Sequence, residues 1–212
     1  MVLPDLSGLG GSARRPSGEG RQPTRPPGRV WHHAPTVPIG EDGAVTTPGD
    51  IDLDAINADR ERIRAEYLRG GADRPESSAR GLHHFALICS DVRTTIDFYQ
   101  GLLEFPLTEI FENRDYAGSN HFFFDIGHGN LLAFFDLPGL DLGPYAEVLG
   151  GLHHLAISVT RDKWEHLRGK LDAAGVEYLE ESDASLYFRD PDGARLELLA
   201  DPLGEMYGTT VL

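Results

Sequence analysis

Hydrophobic positions show no period through residues 1–48, gather at helical spacing over 51–69, and from residue 81 onward fall into short runs separated by turn residues. In IDLDAINADRERIRAEYLR (51–69), Leu53, Ile56, Ile63 and Tyr67 make an apolar stripe while charge fills the other positions. This pattern predicts a helix closed by Gly70 and Gly71, packed on the main domain as an arm. Residues 49–80 are thus read as helical arm and linker.

Beyond the linker one pattern is written twice. GLHHFAL at 81–87 returns as GLHHLAI at 151–157, with five of seven positions identical. In the first unit HHFALICS reads as a strand, and Asp91 can cap a helix VRTTIDFYQGLL with Ile96, Tyr99 and Leu103 at helical spacing. PLTEIF, HFFFDI and LLAFFDL follow as strands, the last two joined by the turn GHGN. After the link PGLDLGPYAEVLG, the second unit runs through strand HHLAISVT, helix RDKWEHLRGKLDAAG, strands VEYLE and SLYFRD, turn PDG and strand RLELLA. The expected fold is therefore α+β: two tandem βαβββ modules, 81–140 and 150–204, forming a half-open barrel.

Composition adds three points. The first 40 residues hold Arg14, Arg15, Arg21, Arg25 and Arg29 against Asp5 and Glu19, and are dense in Gly, Pro and Ser. Such a stretch cannot bury enough apolar surface to offset its ordering entropy, so residues 1–48 are expected to be a disordered basic tail. The whole chain carries a net charge of −15, which argues against nucleic acid or an anionic membrane surface as partner. No apolar run reaches the ~18 residues of a membrane helix, the start lacks a secretory apolar region, and Cys89 is the only cysteine. Together these suit a cytoplasmic protein, with Cys89 an inert buried thiol.

Side chains alternate across a strand, so one histidine of each pair faces inward. His84 shares its face with Ala86 and Ile88, and small alanines beside His84 and His154 leave room for a ligand. Related modules packed about a pseudo-two-fold axis bring equivalent positions together. Two inward imidazoles there suit a divalent metal, and Glu197, flanked by Leu196 and Leu198, supplies the carboxylate such a metal would want.

The pattern HHFALICSDVRTTIDFYQGLL, HHLAISV and YFRDPDGARLELL resembles the vicinal oxygen chelate superfamily, which includes glyoxalase I, the fosfomycin-resistance and bleomycin-resistance proteins and the extradiol ring-cleavage dioxygenases. The resemblance covers 81–200. It implies metal ligation by His84, His154 and Glu197, the same residues reached from the strand pattern. Glyoxalase I has a fourth ligand, a glutamate in the last strand of the first module. Matching GNLLAFF with GARLELL puts Ala133 at that place, so a glutathione-dependent lyase is disfavoured.

Two histidines and one carboxylate with open positions are the set of non-haem Fe(II) oxygenases. The extradiol enzymes add a substrate-holding tyrosine ten residues before the glutamate, and Tyr187 stands there. Their acid–base histidine has no direct counterpart. His128, in the GHGN turn, and His121, opening the preceding strand, are the candidates for that role. The first reading is thus an extradiol-dioxygenase-like enzyme acting on a small catechol-type substrate, with Fe(II) favoured and Mn(II), Zn(II) or Ni(II) as alternatives. An isomerase, epimerase or lyase on the same metal is the second, and a metal-free drug-binding protein the third. The partner expected is a small molecule, with a homodimer as a further possibility.

Overall fold

Alternation places the large apolar side chains of each module on one sheet face, and that face meets its own helix. The computed structural model describes residues 52–212, so the predicted basic tail lies outside the described residues. Helix α1 (Leu53–Tyr67) is capped by Asp52, whose Oδ1 accepts from the Ala55 amide at 2.9 Å. None of its residues is buried. The stripe Leu53, Ile56, Ile63 and Tyr67 stays about half exposed or more, so the expected docking of this arm on the main body is not seen.

The first module runs β1 (His84–Cys89), α2 (Val92–Ile96), β2 (Leu107–Glu112), β3 (Asn120–Asp125) and β4 (Leu131–Asp136). Asp91 caps α2 as its sequence position predicts, accepting from the Thr94 amide at 2.7 Å. The helix widens into a π-helical stretch over Asp97–Leu102, which burial of Tyr99 accompanies. The second module runs β5 (Leu155–Ser158), α3 (Arg161–Ala174), β6 (Tyr178–Glu180), β7 (Ser185–Arg189) and β8 (Arg195–Leu199). Thr160 caps α3, Gly175 ends it in a left-handed conformation (φ 67°), and Trp164, Leu167 and Leu171 form its buried stripe. A short hairpin, β9 (Glu205–Met206) with β10 (Thr209–Thr210), follows and was not foreseen.

The α+β class and the twofold βαβββ order agree with the sequence pattern. Each module makes one four-stranded sheet, ordered β1-β4-β3-β2 and β5-β8-β7-β6. In each, the first strand pairs in parallel with the last and the other pairs are antiparallel. No ladder joins one sheet to the other among the described residues. The modules instead share a core on their helical sides, where Tyr99, Phe122, Phe124 and Phe134 cluster with Trp164, Leu186, Phe188 and Leu198. Both opposite sheet faces are thereby left to carry polar chemistry.

Candidate metal centre

Register aligns the two open faces position by position. In the second sheet Ala156, Glu197 and Tyr187 stand in one row across β5, β8 and β7. In the first sheet the same row is Ala86, Ala133 and Phe123 across β1, β4 and β3. Ala133 therefore occupies the place of Glu197, as the sequence matching put it, and Phe123 that of Tyr187. His84 opens the strand that contributes the first row's alanine, and His154 immediately precedes the strand that contributes the second's.

His154 and Glu197 are brought together, with Nε2 3.2 Å from Oε2. Burial holds His154 below the ordinary imidazole range even though the carboxylate pulls the other way, so its ring is neutral. Glu197 is only 6% exposed, and its other oxygen accepts from the Ser185 hydroxyl, a partner the sequence reading missed. Tyr187 lies edge-on to His154, with ring centroids 5.4 Å apart. Burial and then the adjacent Glu197 push its phenol up to about 12, so it stays protonated and can donate a hydrogen bond at neutral pH.

Imidazole and carboxylate are donors that a borderline divalent metal accepts, and a buried carboxylate is a charge that a cation would compensate. This pair fits two positions of such a metal. His84 is not gathered with it: it stands on the first sheet, exposed and edge-on to Phe123 at 6.3 Å. Among the described residues no cluster of three His, Cys, Asp or Glu side chains is arranged to hold a metal.

His121 shares the first sheet's open face. It stacks on Phe135 at 3.9 Å and meets Phe123 at 4.3 Å and Phe111 at 5.4 Å. Its Nε2 is buried without a hydrogen-bond partner, and burial, then His84, holds the ring below its ordinary range. With Phe111, Phe135, Asn113, Arg114 and Asp115 it lines a pocket of about 330 Å³. This aromatic wall was not recognised from sequence, although HFFFD and LLAFFD carried it as alternation. His128 sits apart from the wall's end of β3, in the turn after that strand, exposed and with φ 52°.

The arginines beside Glu197 are both engaged. Arg195 pairs with Glu147 at 2.7 Å, off-line for a hydrogen bond. Arg189 donates to the Gly193 carbonyl at 2.7 Å and lies over the Tyr145 ring at 5.8 Å. Cys89 is buried and its thiol is pushed up to about 12, chiefly by desolvation, which leaves it unreactive.

Residues 81–198, more than half of the chain, match the family model of the Glyoxalase/Bleomycin resistance protein/Dioxygenase superfamily. The chain belongs to this superfamily. Among curated members it is 26% identical over 140 residues to the "Putative ring-cleaving dioxygenase MhqA" of Bacillus subtilis (strain 168), matching 62% of this chain and 43% of that protein. The chain thus spans less than half the length of that relative. It is 29% identical over 133 residues to the "Metallothiol transferase FosB" of Shouchella clausii (strain KSM-K16), matching 59% of this chain and 83% of that one. The glyoxylase/bleomycin resistance protein/dioxygenase domain from Frankia sp. EAN1pec is a superfamily structure of like fold, with a TM-score of 0.52 at 22% identity, covering 59% of this chain and 100% of that domain.

Proposed function

We propose that this chain is a divalent-metal-dependent oxygenase of the superfamily, acting on a small aromatic substrate with adjacent oxygens. Its centre would be held by His154 and Glu197 of one chain and His84 of a second copy. The observation that carries the reading is the unequal pair of rows: an imidazole–carboxylate pair at 3.2 Å on one sheet, and an imidazole with Ala133 in place of the acid on the other. Each sheet alone is incomplete, and the two are complementary. A two-fold axis that laid one copy's first sheet over the other's second would complete two centres at once.

When bound, a metal such as Fe(II) would supply a Lewis acid with open positions for paired substrate oxygens and for O₂; Mn(II), Zn(II) and Ni(II) are the alternatives. The chain's own residues would do the rest. Phe111, Phe123 and Phe135 offer ring faces to a planar substrate. Tyr187 keeps its proton and donates a hydrogen bond that positions a substrate oxygen, and Ser185 holds the Glu197 carboxylate in place. The neutral His121 has an unpartnered Nε2 that is buried in the substrate-free protein, and it would accept the substrate's proton where substrate binding uncovers that atom. His128 has no part assigned in this arrangement.

The pairing of Arg195 with Glu147 leaves Arg189 as the one nearby guanidinium without a carboxylate partner among the described residues, which speaks against a phosphonate substrate held by two cations. Likeness to the metallothiol transferase over most of that protein's length keeps non-redox chemistry as the second reading. Anaerobic purification, metal analysis and O₂ uptake with a catechol panel after Fe(II) loading separate the two. One metal per chain with uptake matched by ring-opened product is the expected result. Metal without uptake on any catechol would favour the second reading. No metal retained under any loading condition would overturn both.

A further inference from the structure

The repeated double histidine leaves His83 and His153 without a role so far. We propose that each is a positioning residue which holds the ring of its inward neighbour through a hydrogen bond between Nδ1 atoms, and that Arg195, acting through His153, decides which nitrogen of His154 carries the proton. The consequence for metal rests on the ligand reading of His154; the hydrogen-bond relay itself does not.

The geometry occurs twice. His83 Nδ1 lies 2.9 Å from His84 Nδ1, with the rings 77° apart, and His153 Nδ1 lies 2.7 Å from His154 Nδ1, with the rings 73° apart. At such distances one nitrogen must donate and the other accept, because two N–H groups or two lone pairs would repel. In the second pair the direction is settled by what lies behind it. Arg195 Nη1 is 3.3 Å from His153 Nε2, and a guanidinium only donates. His153 therefore accepts at Nε2 and carries its proton at Nδ1. That proton is donated to His154 Nδ1, which leaves the His154 proton on Nε2, facing Glu197 Oε2 at 3.2 Å. Every donor in the series Arg195, His153, His154 and Glu197 then meets an acceptor.

In the first module the place of Arg195 is taken by Leu131, two positions before Ala133 as Arg195 is two before Glu197. Leucine offers no donor, so among the described residues no side chain imposes a direction on His83 and His84. The two inward histidines thus differ. His154 is held in one tautomer by a cation, whereas His84 is free to leave Nε2 bare. Since His153 covers Nδ1, a metal at His154 would take Nε2. The ring proton must then move to Nδ1 and His153 must become the acceptor, against the preference set by Arg195. A histidine ligand whose second nitrogen is unpartnered binds metal about 10–100-fold more weakly.

The test has two arms on the full chain. In metal-free protein labelled with ¹⁵N-histidine, two-bond ¹H–¹⁵N spectra read the tautomer of each ring. Wild type is expected to show His154 protonated at Nε2, and Arg195→Met to move that proton to Nδ1 or to a mixture. A His154 proton on Nδ1 in wild type, or an unchanged pattern in folded Arg195→Met, would overturn the relay. In the second arm Mn(II) is titrated against a competing chelator. His153→Leu should weaken binding, by up to about 10–100-fold, whereas His153→Asn, whose side-chain carbonyl accepts from Nδ1–H without opposing Arg195, should bind at least as tightly as wild type. Equal affinity of a folded His153→Leu variant would refute the positioning role. Wild type that takes up no Mn(II) would refute the proposed function, while the spectra still decide the relay.

Discussion

The Tyr99 hydroxyl donates a 3.0 Å hydrogen bond to Asp190, so the DFY segment of the first module and the DPDG turn of the second clasp one another in the shared core. Asp190 also accepts from the amides of Asp192 and Ala194 at 3.0 and 2.8 Å, which shapes the turn. Asp192 in turn accepts from the Ser90 amide at 3.1 Å, a second tie between the modules. Burial raises both Tyr99 and Asp190 above their ordinary ranges.

Tyr99→Phe keeps the ring and removes the donor. Two backbone donors remain on Asp190, so the loss should be about 1–3 kcal/mol, read from urea denaturation at neutral pH. Asp190→Ala should lose more, because it unmakes the turn and leaves the phenol unpaired. If Tyr99→Phe matched wild type, the clasp would be a contact without energetic weight.

Glu104 is a surface counterpart to that clasp. It meets Lys163 at 3.0 Å, His166 at 2.8 Å and Lys170 at 3.1 Å, all on α3 of the other module. The His166 contact, then the two lysines, lowers its carboxyl from 4.5 to about 2. A depressed acid adds stability above its unfolded-state value and loses it as pH falls through the folded one. Thermal melting of Glu104→Gln should therefore fall below wild type above pH 4.5 and converge on it toward pH 2, with a smaller difference in high salt. A constant difference across that window would point to lost packing instead of lost charge.

Shared centres can be tested by mixing. A His84→Ala chain and a Glu197→Ala chain are each expected to hold no metal tightly. If every centre takes His84 from one copy and Glu197 from the other, a mixed dimer has one centre with both defects and one intact. Random re-pairing of equal amounts should restore about a quarter of the wild-type Mn(II) sites. No recovery after verified subunit exchange would place all ligands in one chain or deny the site.

Ala133→Glu puts a carboxylate at the position register makes equivalent to Glu197. Ala133 is fully buried, so the metal-free variant should be less stable by about 1–3 kcal/mol. Mn(II) should restore that loss, and its affinity should exceed wild type because another anionic oxygen neutralises the cation. O₂ uptake should fall, since an open position has been filled. Stability that Mn(II) does not recover would show that residue 133 does not face the metal.

Much of this arrangement was legible in the chain because it rests on period two. The alternation of His84, Ala86 and Ile88 against Phe85, Leu87 and Cys89 assigned the open face, and the repeat aligned Ala133 with Glu197. What alternation does not encode is the placement of one sheet against another. That depends on the helical-side core and on the contacts of Tyr99, Ser90 and Glu104, which join residues 59 to 102 positions apart. His84 was accordingly expected beside Glu197 and is found on a separate sheet. The α1 stripe was legible as a helix, but a stripe cannot report whether anything covers it. Ser185 and Arg195 looked like ordinary strand residues, and only the fold set them against Glu197 and His153.

The paired rows also bear on how such a protein can change. A dimer of identical single modules must place the same residue at both equivalent positions, so any substitution is made twice. Two modules in one chain lift that constraint: Ala133 and Glu197, or Phe123 and Tyr187, occupy one structural address yet are inherited separately. One sheet can drift toward a new binding surface while the other keeps its acid, and neither change requires the other.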